Sequence, residues 1–121
     1  MSQTFVRLLK DGHPDTGLSA SNLIEAEAFT GDDKTERIHD FFVSDDEQVS
    51  AGVWECAPCR AGIKRYPVNE MMTILAGSVT LTRPDGTSET FTSGDTFFVP
   101  KGTPCVWHVT EHLRKFYMCA P

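Results

Sequence analysis

The sequence predicts an all-β protein with a single domain. Apolar and polar residues alternate over short stretches, and Gly, Pro, Asp or Ser separates each stretch from the next, as in a sandwich or barrel. At 121 residues the chain is long enough to bury one core. We predict strands near residues 39–43, 50–56, 62–66, 70–76, 78–83, 87–92, 96–99, 105–110 and 113–119.

The first part of the chain has the least regular pattern, and we assign residues 1–36 to an N-terminal arm. A short strand is predicted over Phe5–Leu9, and the Gly, Pro and Asp residues of 11–17 predict a loop. In Asn22–Ala28 the Asn precedes a Glu by three residues, which could cap a short helix. The same stretch could equally be an irregular arm or an edge strand.

Residues 37–121 form the predicted β domain, and its clearest element is a hairpin over 78–91. Val79 and Leu81 alternate with Ser and Thr, and Pro84–Gly86 supplies the turn residues. One side of this hairpin is therefore expected to pack against the core while the other faces water.

Charge and hydropathy exclude several functions. Eleven basic residues against 17 acidic ones give a net charge of −6, which disfavours nucleic acid or an anionic membrane as a partner. No apolar run resembles a secretory signal or approaches the ~18 residues of a membrane-spanning helix, so we expect a cytoplasmic protein. The four cysteines are then expected to be reduced thiols.

Two turn-marked strand segments carry the most specific pattern of the chain. The first begins at Glu70 and reaches Gly77, and the second runs from Gly94 through Pro100–Gly102 towards Cys105. These Glu, Gly and Pro spacings resemble the two sequence motifs of the cupin superfamily, small β-barrels whose hollow often holds a metal. The resemblance implies a single-domain cupin β-barrel (an RmlC-like jelly roll) that follows the less regular arm.

Further matching segments are Phe41–Asp46, Gly52–Cys56, Tyr66–Glu70, Pro100–Gly102, and Arg114 and Lys115 with Tyr117. Together they resemble one subgroup, the short single-domain cupins similar to the cupin domain of (S)-ureidoglycine aminohydrolase (DUF861-like). Members of this subgroup commonly lack the metal-binding histidines. The resemblance implies a fold and a pocket, and it does not carry over aminohydrolase chemistry, because the ligands which that chemistry needs are absent.

The usual cupin metal ligands are replaced in this sequence. The positions of the first two histidines are taken by Lys64 and Tyr66, or by Ile63 and Arg65. The position of the third histidine is Cys105. We therefore assign no definite cofactor to this chain. If a divalent metal (Mn, Zn, Fe or Ni) binds, its candidate ligands are Glu70 and Cys105.

Glu70 is the leading candidate for a functional residue. A carboxylate inside a barrel is costly unless it is paired or hydrogen-bonded. If Lys64 or Arg65 points inward, the resulting ion pair has a structural role. Alternatively, Glu70 forms a catalytic acid–base set with Tyr66 and Lys64, because burial can move such pKa values towards neutrality.

Strand periodicity selects the candidate ligand-binding residues. Cys105 and Trp107 share one face of their strand, and Met72 shares the face of Glu70. These three side chains are predicted to line the pocket. The alternative is that the cysteine is a small buried hydrophobe and the tryptophan fills the core.

Cys56 and Cys59 form a Cys-x-x-Cys motif, which suggests redox chemistry or zinc binding. A thioredoxin-like site needs a strand–helix context, whereas this motif ends a predicted strand in a turn. A zinc site would need a second pair, and Cys105 and Cys119 are separated by 13 residues and lie on different predicted strands, which disfavours zinc without excluding it.

We therefore predict a small-molecule-binding cupin. The alternative is an enzyme acting on a small polar metabolite, such as a ureido compound, a sugar derivative or a carboxylate. In that case Glu70 would be the acid or base, or the sole retained metal ligand. A third hypothesis is a structural protein whose pocket is collapsed. Cupins often pair through exposed sheet edges, so we expect a homodimer.

Overall fold

The computed structural model describes residues 3–121 and confirms the all-β prediction. A single 3₁₀ turn spans Ala26–Ala28 between the first two strands. The strands are β1 (Ser19–Ala20), β2 (Glu36–Val43), β3 (Ser50–Cys56), β4 (Cys59–Ile63), β5 (Asn69–Thr82), β6 (Ser88–Thr92), β7 (Thr96–Val99) and β8 (Cys105–Ala120).

The strands form one antiparallel sheet, in which two long strands each have different neighbours at their two ends. The sheet order is β1-β2-β3-β8-β5-β6, with β4 added to β8 and β7 added to β5. The end of β8 pairs with β3 and its beginning with β4, whereas the beginning of β5 pairs with β7 and its end with β6. Buried apolar side chains from β3, β4, β5, β7 and β8 pack into one core.

Gly77 lies in a bulge inside a continuous strand, so the predicted division into strands 70–76 and 78–83 is wrong. Its φ is +79°, and the register of β5 against β8 shifts between Ile74 and Val79. A Cβ at this position would lie 2.0 Å from the carbonyl oxygen of His112. The glycine therefore permits both a left-handed backbone and a close approach of two strands.

Two further strand boundaries differ from the prediction. The predicted strands 105–110 and 113–119 are one strand, because β8 pairs with β5 along nearly its whole length. The predicted strand 62–66 lies earlier, at 59–63, because β4 pairs with the beginning of β8.

The N-terminal arm is mostly irregular. The predicted strand Phe5–Leu9 is not formed, and Phe5 is 96% exposed, with no sheet edge against it. The edge strand in this region is β1, which pairs with β2. The short helix suggested for residues 22–28 is not formed as an α-helix, and this stretch contains one 3₁₀ turn at Ala26–Ala28. In the part of the chain described, no helix has the length and apolar character needed to cross a bilayer.

A buried carboxylate attaches this arm to the sheet. Glu55 accepts bonds from Arg37, from Arg114 at 2.8 Å and from His112 at 3.2 Å. Burial opposes its charge, but these partners hold the pKa of Glu55 below its usual range. Arg114 also bonds Asp11 at 3.0 Å, so that the arm is connected to the sheet through one guanidinium.

Candidate functional site

A cavity of about 510 Å³ opens between β2, β3, β5 and β8. Most of its wall is apolar, and a few polar side chains lie among the apolar ones. The lining residues are Leu23, Ile24, Ile38, Asp40, Ser50, Trp54, Ile63, Tyr66, Pro67, Val68, Glu70, Trp107, Lys115, Tyr117 and Cys119. This cavity is not collapsed, which is evidence against the structural hypothesis.

Glu70 lies in the wall of the cavity and is only 7% exposed. It follows Asn69 at the start of β5, and strand periodicity turns it inward together with Met72. The hydroxyl of Tyr66 donates a hydrogen bond of 2.7 Å to its Oε1 atom. Burial, and then the charge of Glu70, raise the pKa of Tyr66, so this phenol stays protonated at neutral pH.

Lys115 is the cation that pairs with Glu70. Its Nζ atom lies 2.6 Å from Oε2 of Glu70, and the lysine is only 5% exposed. The same atom lies 4.9 Å from the ring centroid of Trp54 and 4.7 Å from that of Trp107, as in cation–π contacts. Two indoles and a carboxylate therefore surround the ammonium group.

A second set of polar groups also lines the cavity. The hydroxyl of Tyr117 donates a hydrogen bond to Asp40, an exposed residue, and Ser50 lies nearby in the lining. Burial, and then the charge of Glu70, raise the pKa of Cys119 to about 12, so its thiol is protonated at neutral pH.

Glu36 fixes the segment of the arm that covers one side of the cavity. Its carboxylate accepts bonds from the backbone nitrogens of Leu23 at 3.0 Å and Ile24 at 2.9 Å, and from the hydroxyl of Ser21. Nε1 of Trp54 donates a further bond of 3.0 Å. One carboxylate thus joins the arm to the wall of the cavity.

The predicted acid–base set is only partly assembled. Tyr66 and Glu70 are hydrogen-bonded in the cavity, whereas Lys64 and Arg65 are exposed and do not line it. Lys115, which the sequence analysis did not assign to the site, lies where the inward lysine was expected. Period-two alternation with the inward-facing Tyr117 could have identified it.

The predicted ligand-binding residues lie in different places. Trp107 lines the cavity. Met72 is fully buried behind the ion pair, with its Sδ atom 3.3 Å from Nζ of Lys115. Cys105 is buried beside Ile63 of β4 and does not line the cavity, whereas Cys119 does. Burial raises the pKa of Cys105, so its thiol is protonated at neutral pH.

The residues of this site do not fit a divalent metal. Over residues 3–121, no three His, Cys, Asp or Glu side chains form a group that could hold one. Cys105 lies outside the cavity, and the ammonium of Lys115 already contacts the remaining carboxylate. A metal ion beside Glu70 would be repelled by this positive charge.

The Cys-x-x-Cys motif lies within the core. Cys56 ends β3 and Cys59 begins β4, and both are fully buried with their sulfur atoms 3.9 Å apart. The thiol of Cys56 donates to Cys59, which lowers the pKa of Cys59 and raises that of Cys56. They belong to the same apolar cluster as Trp54.

An antiparallel all-β sheet around a lined cavity is the architecture of a single-domain cupin. A family model of the EutQ-like cupin domain matches residues 43–117. The chain belongs to this family.

Solved structures of similar proteins agree with this assignment. A protein of unknown function from Pseudomonas syringae pv. tomato, of the DUF861 family, is 29% identical with a TM-score of 0.76 over 85% of this chain. The chain spans only 44% of the length of that protein. A DUF861-family protein from Thermotoga maritima is 37% identical with a TM-score of 0.50, over 54% of this chain and 73% of its own.

The EutQ protein of Clostridium difficile shares the fold at 21% identity, with a TM-score of 0.62 over 85% of this chain and 80% of its own. No curated protein matches the chain.

Proposed function

We propose that this chain is a small-molecule-binding cupin whose ligand occupies the cavity beside Glu70, Tyr66 and Lys115. The observation that carries the proposal is the cavity itself, about 510 Å³ with mainly apolar walls around one buried polar cluster. Sites for small molecules have this size and this composition, in which few polar groups fix the orientation of the ligand.

The hydrogen bonds of Glu70 favour binding over acid–base catalysis. One carboxylate oxygen accepts from Tyr66 and the other from Lys115, so a reacting group would have to displace one of these donors. An enzyme acting on a ureido compound, a sugar derivative or a carboxylate therefore has less support. Aminohydrolase-like chemistry has still less, because the residues present do not fit its metal.

Three small probes with the same ring test the proposal: cyclohexyl methyl ketone, cyclohexanecarboxylate and cyclohexylmethylammonium. The chain has two tryptophans, and both line the cavity, so their fluorescence reports on its occupancy. We expect at least one probe to change this fluorescence in a saturable way, with a dissociation constant on the order of 1 mM for such small ligands.

A variant pair shows where the probe binds. Val68 lines the cavity, whereas Val43 is 45% exposed outside it. Val68→Phe should weaken binding about tenfold or more because the larger ring occupies space that the probe needs, and Val43→Phe should leave binding unchanged. Failure of all three probes to bind, or equal binding to both variants, would refute the proposal.

We also propose a cytoplasmic homodimer. Among the described strands, β6 and β7 each pair with β5 alone, and their open edges support pairing with a second copy. The mass in solution, measured by light scattering at micromolar concentration, should be twice that of the chain. A monomeric mass would contradict the homodimer.

A further inference from the structure

We infer that two copies of this chain associate face to face through the outer surface of the sheet, around Met71, Met118 and Phe98. The inference rests on the proposed homodimer and names the surface that forms its contact. Three properties of this surface support it: an apolar row across five strands, the lack of charge in that row, and the area of the face.

The apolar row crosses five neighbouring strands on the outer face of the sheet. In the order β2-β3-β8-β5-β7, the strand pairings place side by side Phe42, Ala51, Met118, Met71 and Phe98. The cavity is lined by the residues that precede three members of this row, namely Ser50, Glu70 and Tyr117. Because side chains alternate along a strand, the row itself points outward.

Three members of the apolar row expose large side chains to water. Phe98 is 53% exposed, Met71 is 44% exposed and Met118 is 41% exposed, and they lie on adjacent strands. Single exposed hydrophobic residues are ordinary on a protein surface, whereas a contiguous group of them marks an interaction surface.

The distribution of charge favours a second copy as the partner. The chain carries a net charge of −6, yet the apolar row contains no ionisable side chain. Polar groups border it: Arg37, Glu55 and Arg114 lie two rows away on one side, and Asn69 pairs with Ala120 on the other. A partner of opposite charge would be attracted to the acidic parts of the surface. A copy with the same negative charge meets least repulsion over an uncharged face with a polar rim.

The area of this face is sufficient for a stable dimer. Five strands about 4.8 Å apart make it about 24 Å wide, and the apolar row with one row on either side spans about 20 Å along the strands. Contact between two copies would therefore cover about 500 Å² on each, or about 1,000 Å² in total, the size at which specific interfaces begin. The face also includes β7, which among the described strands pairs with β5 alone, so its open edge adjoins the contact.

The order of residues in the row suits a two-fold axis that runs along β5 over Met71. Met71 lies between Met118 and Phe98, so this axis sets Phe98 of one copy against Met118 of the other. Contacts between a methionine sulfur and an aromatic ring are favourable, and the flexible methionine side chain adapts to the shape of the ring. The two copies of Met71 then meet at the centre of the interface.

A charged substitution at this centre tests the contact. Met71→Glu sets two carboxylates against one another, so the dissociation constant of the dimer, measured by sedimentation, should rise about 100-fold or more. The matched control is Val43→Glu, which should change this constant less than about threefold. Val43 is 45% exposed, but it pairs with Ser50 on the other side of the sheet. A dimer that Met71→Glu leaves as stable as the wild type would overturn the inference.

A mixture of two variants shows that the substitution acts at the contact and not on folding. Met71→Glu and Met71→Lys should each be monomeric alone, and an equimolar mixture should form a heterodimer, because carboxylate and ammonium then face one another. Two folded monomers that do not associate on mixing would place the contact elsewhere and overturn the inference.

A measurement on the wild-type chain covers the case in which the variants do not fold. Hydrogen peroxide should oxidise Met71 and Met118 about fivefold more slowly where the dimer dominates than after dilution below the dissociation constant. Met72, which is 1% exposed in the core, is the internal reference and should react equally slowly at both concentrations. Equal rates at Met71 and Met118 before and after dilution would overturn the inference.

The outcomes separate this inference from the proposals on which it rests. A wild-type chain that is monomeric at every concentration refutes the homodimer and this contact together. A dimer that tolerates the substitutions at Met71 refutes only the contact. Neither result changes the binding of the ring probes to the cavity, which tests the small-molecule proposal separately.

Discussion

Replacement of Lys115 by methionine tests whether the buried ion pair organises the cavity. Nζ of Lys115 lies 2.6 Å from Glu70, and the two residues are 5% and 7% exposed. In Lys115→Met the carboxylate stays buried with Tyr66 as its remaining side-chain donor. Removal of one partner from a buried pair costs about 3–5 kcal/mol, and two lost cation–π contacts add about 0.5–1 kcal/mol each.

Urea denaturation followed by tryptophan fluorescence measures this loss. With a slope of about 1.5–2 kcal/mol/M for a domain of this size, the urea midpoint should fall by roughly 2–4 M. The control is Arg83→Met, which breaks the exposed pair with Glu89, where both side chains are more than half exposed. This change should cost no more than about 1 kcal/mol.

A double-mutant cycle distinguishes an unpaired charge from simple loss of packing. If the unpaired carboxylate of Glu70 causes the loss of stability in Lys115→Met, neutralising it should restore part of that loss. The double variant Glu70→Gln with Lys115→Met should then be more stable than Lys115→Met alone by about 2 kcal/mol. The reasoning is refuted if Lys115→Met costs less than about 1 kcal/mol, or if the effects of the two substitutions simply add.

Two further changes test other parts of the fold. Burial opposes the charge of Glu36, but hydrogen bonds from the segment 21–24 and from Trp54 hold its pKa below the ordinary 4.5. The ionised carboxylate therefore stabilises the folded chain above about pH 4.5, and this contribution is lost as the pH falls below that value. Glu36→Gln should cost more at pH 7 than at pH 3.5 in urea titrations, and equal losses would contradict this. Gly77→Ala should lower the melting temperature more than Gly86→Ala, because both have positive φ but only the first Cβ meets a backbone atom, at 2.0 Å. Equal melting temperatures for the two variants would argue against the clash.

Local residue patterns were sufficient to predict most strands, because alternation and turn residues act over a few positions. The predicted strands 50–56 and 96–99 coincide with β3 and β7. The error at Gly77 has a physical reason: a glycine with positive φ serves a reversing turn and a bulge equally well. Only the pairing of β5 with β8 shows that the chain continues in the same direction.

The partner of Glu70 could not be read from local spacing. Lys64 is close in sequence, but it lies in the bend after β4 and is exposed. Lys115 is 45 residues away and reaches Glu70 because the register of β5 against β8 brings both side chains into the cavity. The cupin motif was therefore sufficient to identify Glu70, whereas its partner Lys115 follows only from the pairing of the strands in the sheet.

The position of β8 in the sheet also determines when the barrel can form during synthesis. Among the eight strands of the described residues it comes last, yet it is the common neighbour of β3, β4 and β5. Until residues 105–120 leave the ribosome, those three strands lack the partner that they share, and their inward apolar side chains stay exposed to water. A nascent chain that stalls before residue 105 is therefore open to aggregation and needs chaperone protection.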